Sequence, residues 1–350
     1  MRRLILMTKG NKFGTHRVIE PEGALPQPAW KIDNTMEIYD NEVLIDVDTL
    51  NIDAASMTQI KEQAGGDVEK IKARMKEIVA ERGKHHNPET GSGGMLIGTV
   101  EQVGEKLTDR DLQPGDKIAT LSSLSLTPLQ IDEIKEVNTD TDQVKISGKA
   151  ILFESALYSK LPEDMEDTLA LAALDVAGAA AQTAKLVKPG DTVFIIGAGG
   201  KSGLLCLHEA KKRAGVSGKV IGISRSDAGC ERIKETGLAD VVLQGSANEP
   251  MNIFEMVEES TDGELCDVTI NNVNVPDTEM GSILPTKDGG IVYFFSMATS
   301  FTKAALGAEG VGKDVNMIVG NGYTKNHADI TLEILRENKT IREIFNRQYV

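Results

Sequence analysis

The chain has 350 residues, enough for about two domains with sizeable cores. Its 53 acidic residues outnumber 38 basic ones, and the net charge of −15 is spread along the chain, which disfavours nucleic acid and anionic membrane as partners and favours a cationic small molecule. Three well-separated cysteines, Cys206, Cys230 and Cys266, suit buried thiols in a reducing cytoplasm rather than a disulfide framework. The opening MRRLILMTKG is basic and then apolar over too few residues for a signal or a membrane span, so the expected location is cytoplasmic.

From about Met36 to Asp48 acidic and apolar residues alternate with period two, as in half-buried antiparallel strands. Residues Ala55 to Arg82 follow a 3.6-residue pattern and predict one helix, charged outside and stopped at Gly83. A turn-rich loop, HHNPETGSGG, then leads into a strand, and a Pro-Gly-Asp turn precedes another. Short strands between glycine turns predict a β-rich, partly open barrel. Past Glu154 helices and strands alternate, the pattern of a doubly wound parallel sheet, and the expected fold class is α/β. A last helix and the tail after Gly322 are expected to pack back on the first domain. The expected domains are therefore 1–155 with 323–350, and 156–322.

Within the second domain, TVFIIGAGGKSG runs from a strand through a glycine cluster into an amphipathic helix, and KVIGIS completes a β-α-β unit. Gly197 suits the tight turn, Gly199 with Gly200 suits backbone approach to a pyrophosphate, and the amides opening the helix at about Lys201 face the anion. Ser202 stands where the fingerprint has its third glycine, with Gly203 beside it. At the end of the second strand, Ser224, Arg225 and Ser226 replace the acidic residue that normally accepts from a ribose hydroxyl, which favours NADP over NAD. Asn271 and Ser296 end later strands at the carboxyl edge, where the nicotinamide is expected.

The glycine turn, G-x-x-x-x-G-T-V-E-Q-V-G, P-G-D-K-I and LALAALDVAGAAAQTAKLVKPGD together resemble the medium-chain dehydrogenase/reductase superfamily, which implies a Rossmann domain beside a GroES-like barrel. GTHRVIEPEGALPQPAWKIDN, KHHNPETGSGGMLIGTV and LDVAGAAAQTAKLVKPGD are more closely similar to the L-erythro-3,5-diaminohexanoate dehydrogenases of lysine fermentation. That resemblance implies oxidation of a 3-amino group to a ketone, release of ammonia, and a nicotinamide cofactor usually described as NAD, so both cofactors stay open. The zinc-binding relatives carry cysteine and histidine ligands where this chain reads Leu50 to Ser56, Gly94-Met95 and ALAALDV, so no metal is expected.

An amine dehydrogenase without zinc needs a base, and five residues are candidates. Lys201 replaces an apolar residue of the resembling enzymes, where desolvation and a positive nicotinamide would favour a neutral amine; a phosphate-facing or solvent-facing lysine is the alternative. Asp53 and Asp175 lie in the segments of the vacated metal site, against plainer roles as a turn residue and a helix N-cap. His86 and Glu89 sit in the glycine-rich loop, where the His85-His86 pair also suits exposed punctuation after a helix. Two other functions compete: a zinc-independent quinone or enoyl reductase using NADPH, whose pocket would be apolar, and a non-catalytic NADPH-binding protein. A homodimer joined edge to edge through GGIVYFF is expected.

Overall fold

The computed structural model describes residues 9–320 and 322–350. It divides into two compact units, Met1–Leu171 and Ala172–Val350.

The first unit begins with a small ribbon of β1 (Val18–Glu20) and β2 (Lys31–Ile32). Its main sheet is built on the 11-residue β3 (Glu42–Ile52). Asp46 and Asp48 alternate with buried Ile45 and Val47 as the sequence pattern requires, while both ends of the strand are buried on both faces. Helices α1 (Ala54–Ala64) and α2 (Val68–Arg82) follow, so the single helix expected over 55–82 is two. Gly65 and Gly66 both adopt positive φ, and Asp67 restarts the chain as an N-cap, its Oδ1 accepting from the Glu69 and Lys70 amides. Strands β4 (Gly94–Val103), β5 (Lys117–Thr120), β6 (Leu129–Asn138), β7 (Gln143–Phe153) and β8 (Tyr158–Lys160) complete an antiparallel sheet in the order β6-β7-β3-β4-β5-β8. The end strands β6 and β8 do not pair with each other, so the expected barrel is open. Its core joins Ile45, Val47 and Leu50 to Met57 and Ile60 of α1 and Ile71, Met75 and Ile78 of α2.

One charge cluster lies inside this unit. The Glu42 side chain is fully buried, and Arg17 grips both of its oxygens at 2.7 Å. His16 and the Tyr39 amide also reach the carboxylate, at 2.8 and 2.9 Å, and Arg17 spends its remaining donors on the Thr35 and Glu37 carbonyls. Burial alone would raise the Glu42 carboxyl, but the hydrogen bonds from His16, Arg17 and Tyr39 outweigh it and hold the group below its ordinary value.

The second unit follows from α3 (Asp167–Leu174), within which the division falls, and α4 (Ala177–Leu186). It continues β9 (Thr192–Ile196), α5 (Lys201–Ala214), β10 (Lys219–Ser224), α6 (Asp227–Thr236), β11 (Val241–Gln244), α7 (Pro250–Ser260), β12 (Cys266–Asn271), α8 (Glu279–Ile283), β13 (Thr286–Phe294), α9 (Phe301–Val311) and β14 (Asn316–Val319). The sheet is parallel with the order β11-β10-β9-β12-β13-β14, and its direction of winding reverses between β9 and β12. GGIVYFF falls in β13, which is enclosed by β12 and β14; the edge is β14.

The tail departs from expectation. Helices α10 (His327–Glu337) and α11 (Lys339–Tyr349) belong with the parallel sheet, α10 against α4 and α5, α11 against α5 and α6. Leu332, Leu335, Ile341, Ile344 and Phe345 are buried along their inner faces, and Lys212 of α5 fastens to Glu337 at 2.7 Å. Among the described residues no single helix is long and apolar enough to cross a membrane.

Replacing Arg17 by Met leaves Glu42 buried without its main partner and should lower stability by about 3–5 kcal/mol in urea unfolding at neutral pH. Because folding lowers the Glu42 carboxyl, its contribution is present above the ordinary carboxylate range and disappears as pH falls through it. The R17M protein should therefore lose less stability than wild type on acidification, and parallel acid limbs would count against the assignment.

Candidate functional site

The carboxyl edge of the parallel sheet sets the first half of the site. β9 stops at Ile196, Gly197 turns the chain at φ +76°, and α5 starts four residues later at Lys201. A Cβ at residue 203 would stand 2.2 Å from the Gly197 carbonyl oxygen and 2.6 Å from the Ala198 Cα, so Gly203, not Ser202, is the glycine that lets the helix lie against the strand. A Cβ at residue 199 would meet the Gly229 carbonyl oxygen at 2.4 Å; Gly199 serves close packing on α6 rather than approach by an anion. Gly200, the N-cap of α5, would bring a Cβ no nearer than 3.3 Å to any heavy atom, and no side chain caps the helix. The uncapped opening amides fit a pyrophosphate, and a Cβ at Gly200 would meet only the Gly197 carbonyl oxygen.

Beside this turn lies a cavity of about 240 Å³ with apolar walls from Ile196, Ile223, Val273 and Val275, and with Ser224 and Arg225 at its polar end. Arg225 is exposed and makes no ion pair among the described residues. Ser226 Oγ is engaged as the N-cap of α6, accepting from the Gly229 amide, and Asp227 accepts from Gln244. The cavity thus combines apolar walls with a cation, and no carboxylate among the described residues lines it.

The two expected nicotinamide contacts are inward-facing groups. Asn271 is fully buried, donates to Thr278 Oγ1 and Ser282 Oγ at 2.9 Å each, and accepts from the Val273 amide at 3.1 Å. Its amide hydrogens go to the N-cap and body of α8 and its oxygen to the loop after β12, so it shapes the rim rather than presenting its amide to a ligand. Ser296 is buried and accepts from the Ala298 amide.

Lys201 projects from the first turn of α5 to Asp175, in the link between α3 and α4, with Nζ 3.1 Å from Oδ2. Both side chains are about a quarter exposed. The lysine's own surroundings are thus polar, not the desolvated pocket expected from the sequence, because Asp175 faces it. Nor does Asp175 cap a helix: α4 begins after Val176 with no side-chain cap. Lys201 Nζ also lies over the ring of Tyr349, on the last turn of α11, 5.3 Å from its centroid. Arg232 of α6 donates to the Gly199 carbonyl at 2.8 Å and fixes the turn from below.

In the first unit, the loop 83–93 lies along α1. Asp53 precedes α1 but makes no cap bond; its Oδ2 accepts from the Gly93 amide at 2.9 Å. Ser56 bonds Thr90 and Ser92, Asn87 donates to Gln59, and Glu89 accepts from Gln63 at the surface. His85 and His86 are both buried, contrary to exposed punctuation, and burial pushes both imidazoles down to about 4. Lys84, which sequence reasoning missed, is fully buried with its ammonium on the Pro26 and Gln27 carbonyls. Burial, then the Arg82 charge, lowers it to about 7. Tyr349 was missed as well, since nothing local in TIREIFNRQYV ties it to a glycine turn some 150 residues earlier. Burial raises the Cys206 thiol to about 12 and excludes it as a neutral-pH nucleophile.

The two glycines of the turn separate in their expected effects. Gly200→Ala should fold normally yet weaken dinucleotide binding about tenfold or more, because one charge-assisted bond contributes roughly 1.5–3 kcal/mol. Gly203→Ala should lower the melting temperature without any ligand present. Calorimetric titration and thermal unfolding read the two effects, and equal behaviour of both variants would sink the assignment.

The family model for the L-erythro-3,5-diaminohexanoate dehydrogenase N-terminal domain matches residues 16–162. The chain is 63% identical over 98% of its length to L-erythro-3,5-diaminohexanoate dehydrogenase of Acetoanaerobium sticklandii, and 62% identical over 98% to that of Fusobacterium nucleatum, in each case spanning the whole relative. Among solved structures, a Pseudomonas syringae quinone oxidoreductase aligns with a TM-score of 0.55 at 19% identity, covering 87% of this chain and 83% of that one. An alcohol dehydrogenase of Thermus sp. ATN1 aligns with 0.54 at 20%, covering 89% and 87%, and these likenesses establish the fold. By its near full-length identity to the curated relatives, the chain belongs to the L-erythro-3,5-diaminohexanoate dehydrogenase family.

Proposed function

We propose that the chain oxidises the 3-amino group of L-erythro-3,5-diaminohexanoate, giving 5-amino-3-oxohexanoate and ammonia, as a cytoplasmic homodimer of lysine fermentation. The observation that carries this reading is the 63% identity to a dehydrogenase of that name over nearly the full chain. The net charge of −15 favours a substrate with two ammonium groups. A bound nicotinamide dinucleotide supplies the hydride acceptor; NADP is favoured over NAD by Arg225 and Ser224 at the end of β10 and by the lack of a carboxylate lining the cavity there.

An ammonium cannot expel hydride from its carbon, so one proton must first leave the amine. After oxidation, water adds to the imine and a proton must return to nitrogen as ammonia departs. The Lys201–Asp175 pair, a donor nitrogen and an accepting oxygen 3.1 Å apart beside the glycine turn, is proposed as the proton-handling unit, with Asp53 as the competing base. His86, held as the neutral imidazole, and Glu89, at the surface, are the remaining candidates of the first unit. No metal is invoked: the ligand positions of zinc-binding relatives hold other residues, and no group of three His, Cys, Asp or Glu able to hold an ion occurs among the described residues. An enoyl or quinone reductase needs no such pair, and a passive NADPH-binding protein leaves it without a use. For the dimer, β14 offers an unpaired edge flanked by exposed Phe301, Leu306 and Val319.

Arg225→Ala should weaken NADP about tenfold or more and leave NAD nearly unchanged in calorimetric titrations. Equal losses, or a wild-type preference for NAD, would refute the NADP reading. With 3,5-diaminohexanoate, spectrophotometric formation of NAD(P)H should fall ~10²–10⁴-fold in at least one of Lys201→Met, Asp175→Asn and Asp53→Asn, with loss of one limb of the rate–pH profile. Near-wild-type turnover in all three, or a wild type that reduces enones and ignores the diamine, would overturn the mechanism.

A further inference from the structure

Helix α11 ends at Tyr349, one residue before the end of the chain, yet its ring lies on the ammonium of Lys201, the first residue of α5. Three different parts of the second unit meet there: the α3–α4 link through Asp175, the glycine turn through Lys201, and the C-terminal helix through Tyr349. The ring is itself fixed, packed edge-on against Phe345 at 5.1 Å, and Phe345 is fully buried. Arg347 Nη2 also donates to both carboxylate oxygens of Glu235 on α6, at 2.8 and 2.9 Å, a surface contact beside that packing. A lysine side chain has four rotatable bonds and will not hold one direction unaided. Asp175 restrains its tip from one side only, and both side chains are partly exposed, where an ion pair alone contributes little order. An aromatic face at 5.3 Å supplies the second restraint.

We propose that Tyr349 is a positioning residue: its ring, with Asp175, fixes Lys201 over the opening of α5, so that docking of the C-terminal helix and binding of the dinucleotide are coupled. This rests on Lys201 being part of the proposed proton-handling unit. The hydroxyl is not required, since the ring face makes the contact.

The test uses the full chain with Tyr349→Phe and Tyr349→Leu, each also in a Lys201→Met background. Calorimetric titration with NADP should show Tyr349→Phe close to wild type and Tyr349→Leu weaker by roughly three- to tenfold, the size of one cation–π contact. In the Lys201→Met background the Leu substitution should add no further loss. The rate–pH limb that depends on Lys201 should move in Tyr349→Leu and stay in place in Tyr349→Phe. Three results would overturn the proposal: Leu equal to wild type, Phe as costly as Leu, or a Leu effect that persists undiminished without Lys201, the mark of mere helix undocking. Should wild type ignore the diamine while the binding cycle still shows coupling, the reaction fails and the coupling stands. Oxidation of the diamine without coupling removes only the role of Tyr349.

Discussion

Residue 203 cannot carry a side chain, and the second unit is organised around that prohibition. Helix α5 lies so close to the end of β9 that even a methyl group would run into the Gly197 carbonyl. The closeness aims the opening amides of a 14-residue helix at the carboxyl edge of the sheet, where their unpaired donors and the helix dipole act on one small volume. Everything else at that edge takes its place from this contact. Lys201 leaves the same turn and so meets Asp175, Arg232 holds the Gly199 carbonyl, and Gly229 can approach only because Gly199 is equally bare.

The two units treat charge in opposite ways. The first buries it: Arg17 and Glu42 neutralise one another, while burial pushes Lys84, His85 and His86 towards their neutral forms, helped at Lys84 and His86 by the Arg82 charge. The second keeps its Lys201–Asp175 pair partly exposed, where the charged forms retain hydration. In the first arrangement the Lys84 ammonium is spent on the carbonyls of 26–27, while both ring nitrogens of His85 and Nδ1 of His86 are buried without a hydrogen-bond partner among the described residues. A pair within reach of solvent and of what binds beside it is the product of the second.

The regularities that survive in sequence are those with short physical range. Period-two alternation in β3 and the alternation of strand and helix after residue 154 could be read directly, because each follows from which face of a local element meets the core. The glycine turn was legible as a turn, yet the assignment of individual glycines was not, since Gly199 and Gly203 are defined by backbone from residues 229 and 197–198. The break at Gly65-Gly66 lost to a helical pattern that continues on both sides of it. Asn271 looked like a ligand contact because strand ends at this edge commonly are; its partners Thr278 and Ser282 are the N-cap and a residue of a short helix that has no strong signature. The fate of 323–350 was the least readable, because an amphipathic helix states that it has an apolar face and not which surface that face will meet.

All three cysteines fall in the second unit, one each on α5, α6 and β12, and all are buried and unoxidised. Cys206 and Cys266 have no exposed surface, and the Cys230 sulfur sits against the Ser224 and Leu243 carbonyls. A thiol-directed alkylating reagent therefore has no target on the folded molecule and marks only those chains whose second unit has opened. The protein carries a built-in, unit-specific chemical clock for local unfolding, silent towards the other half, and its rate with and without bound dinucleotide measures how far the ligand closes that half.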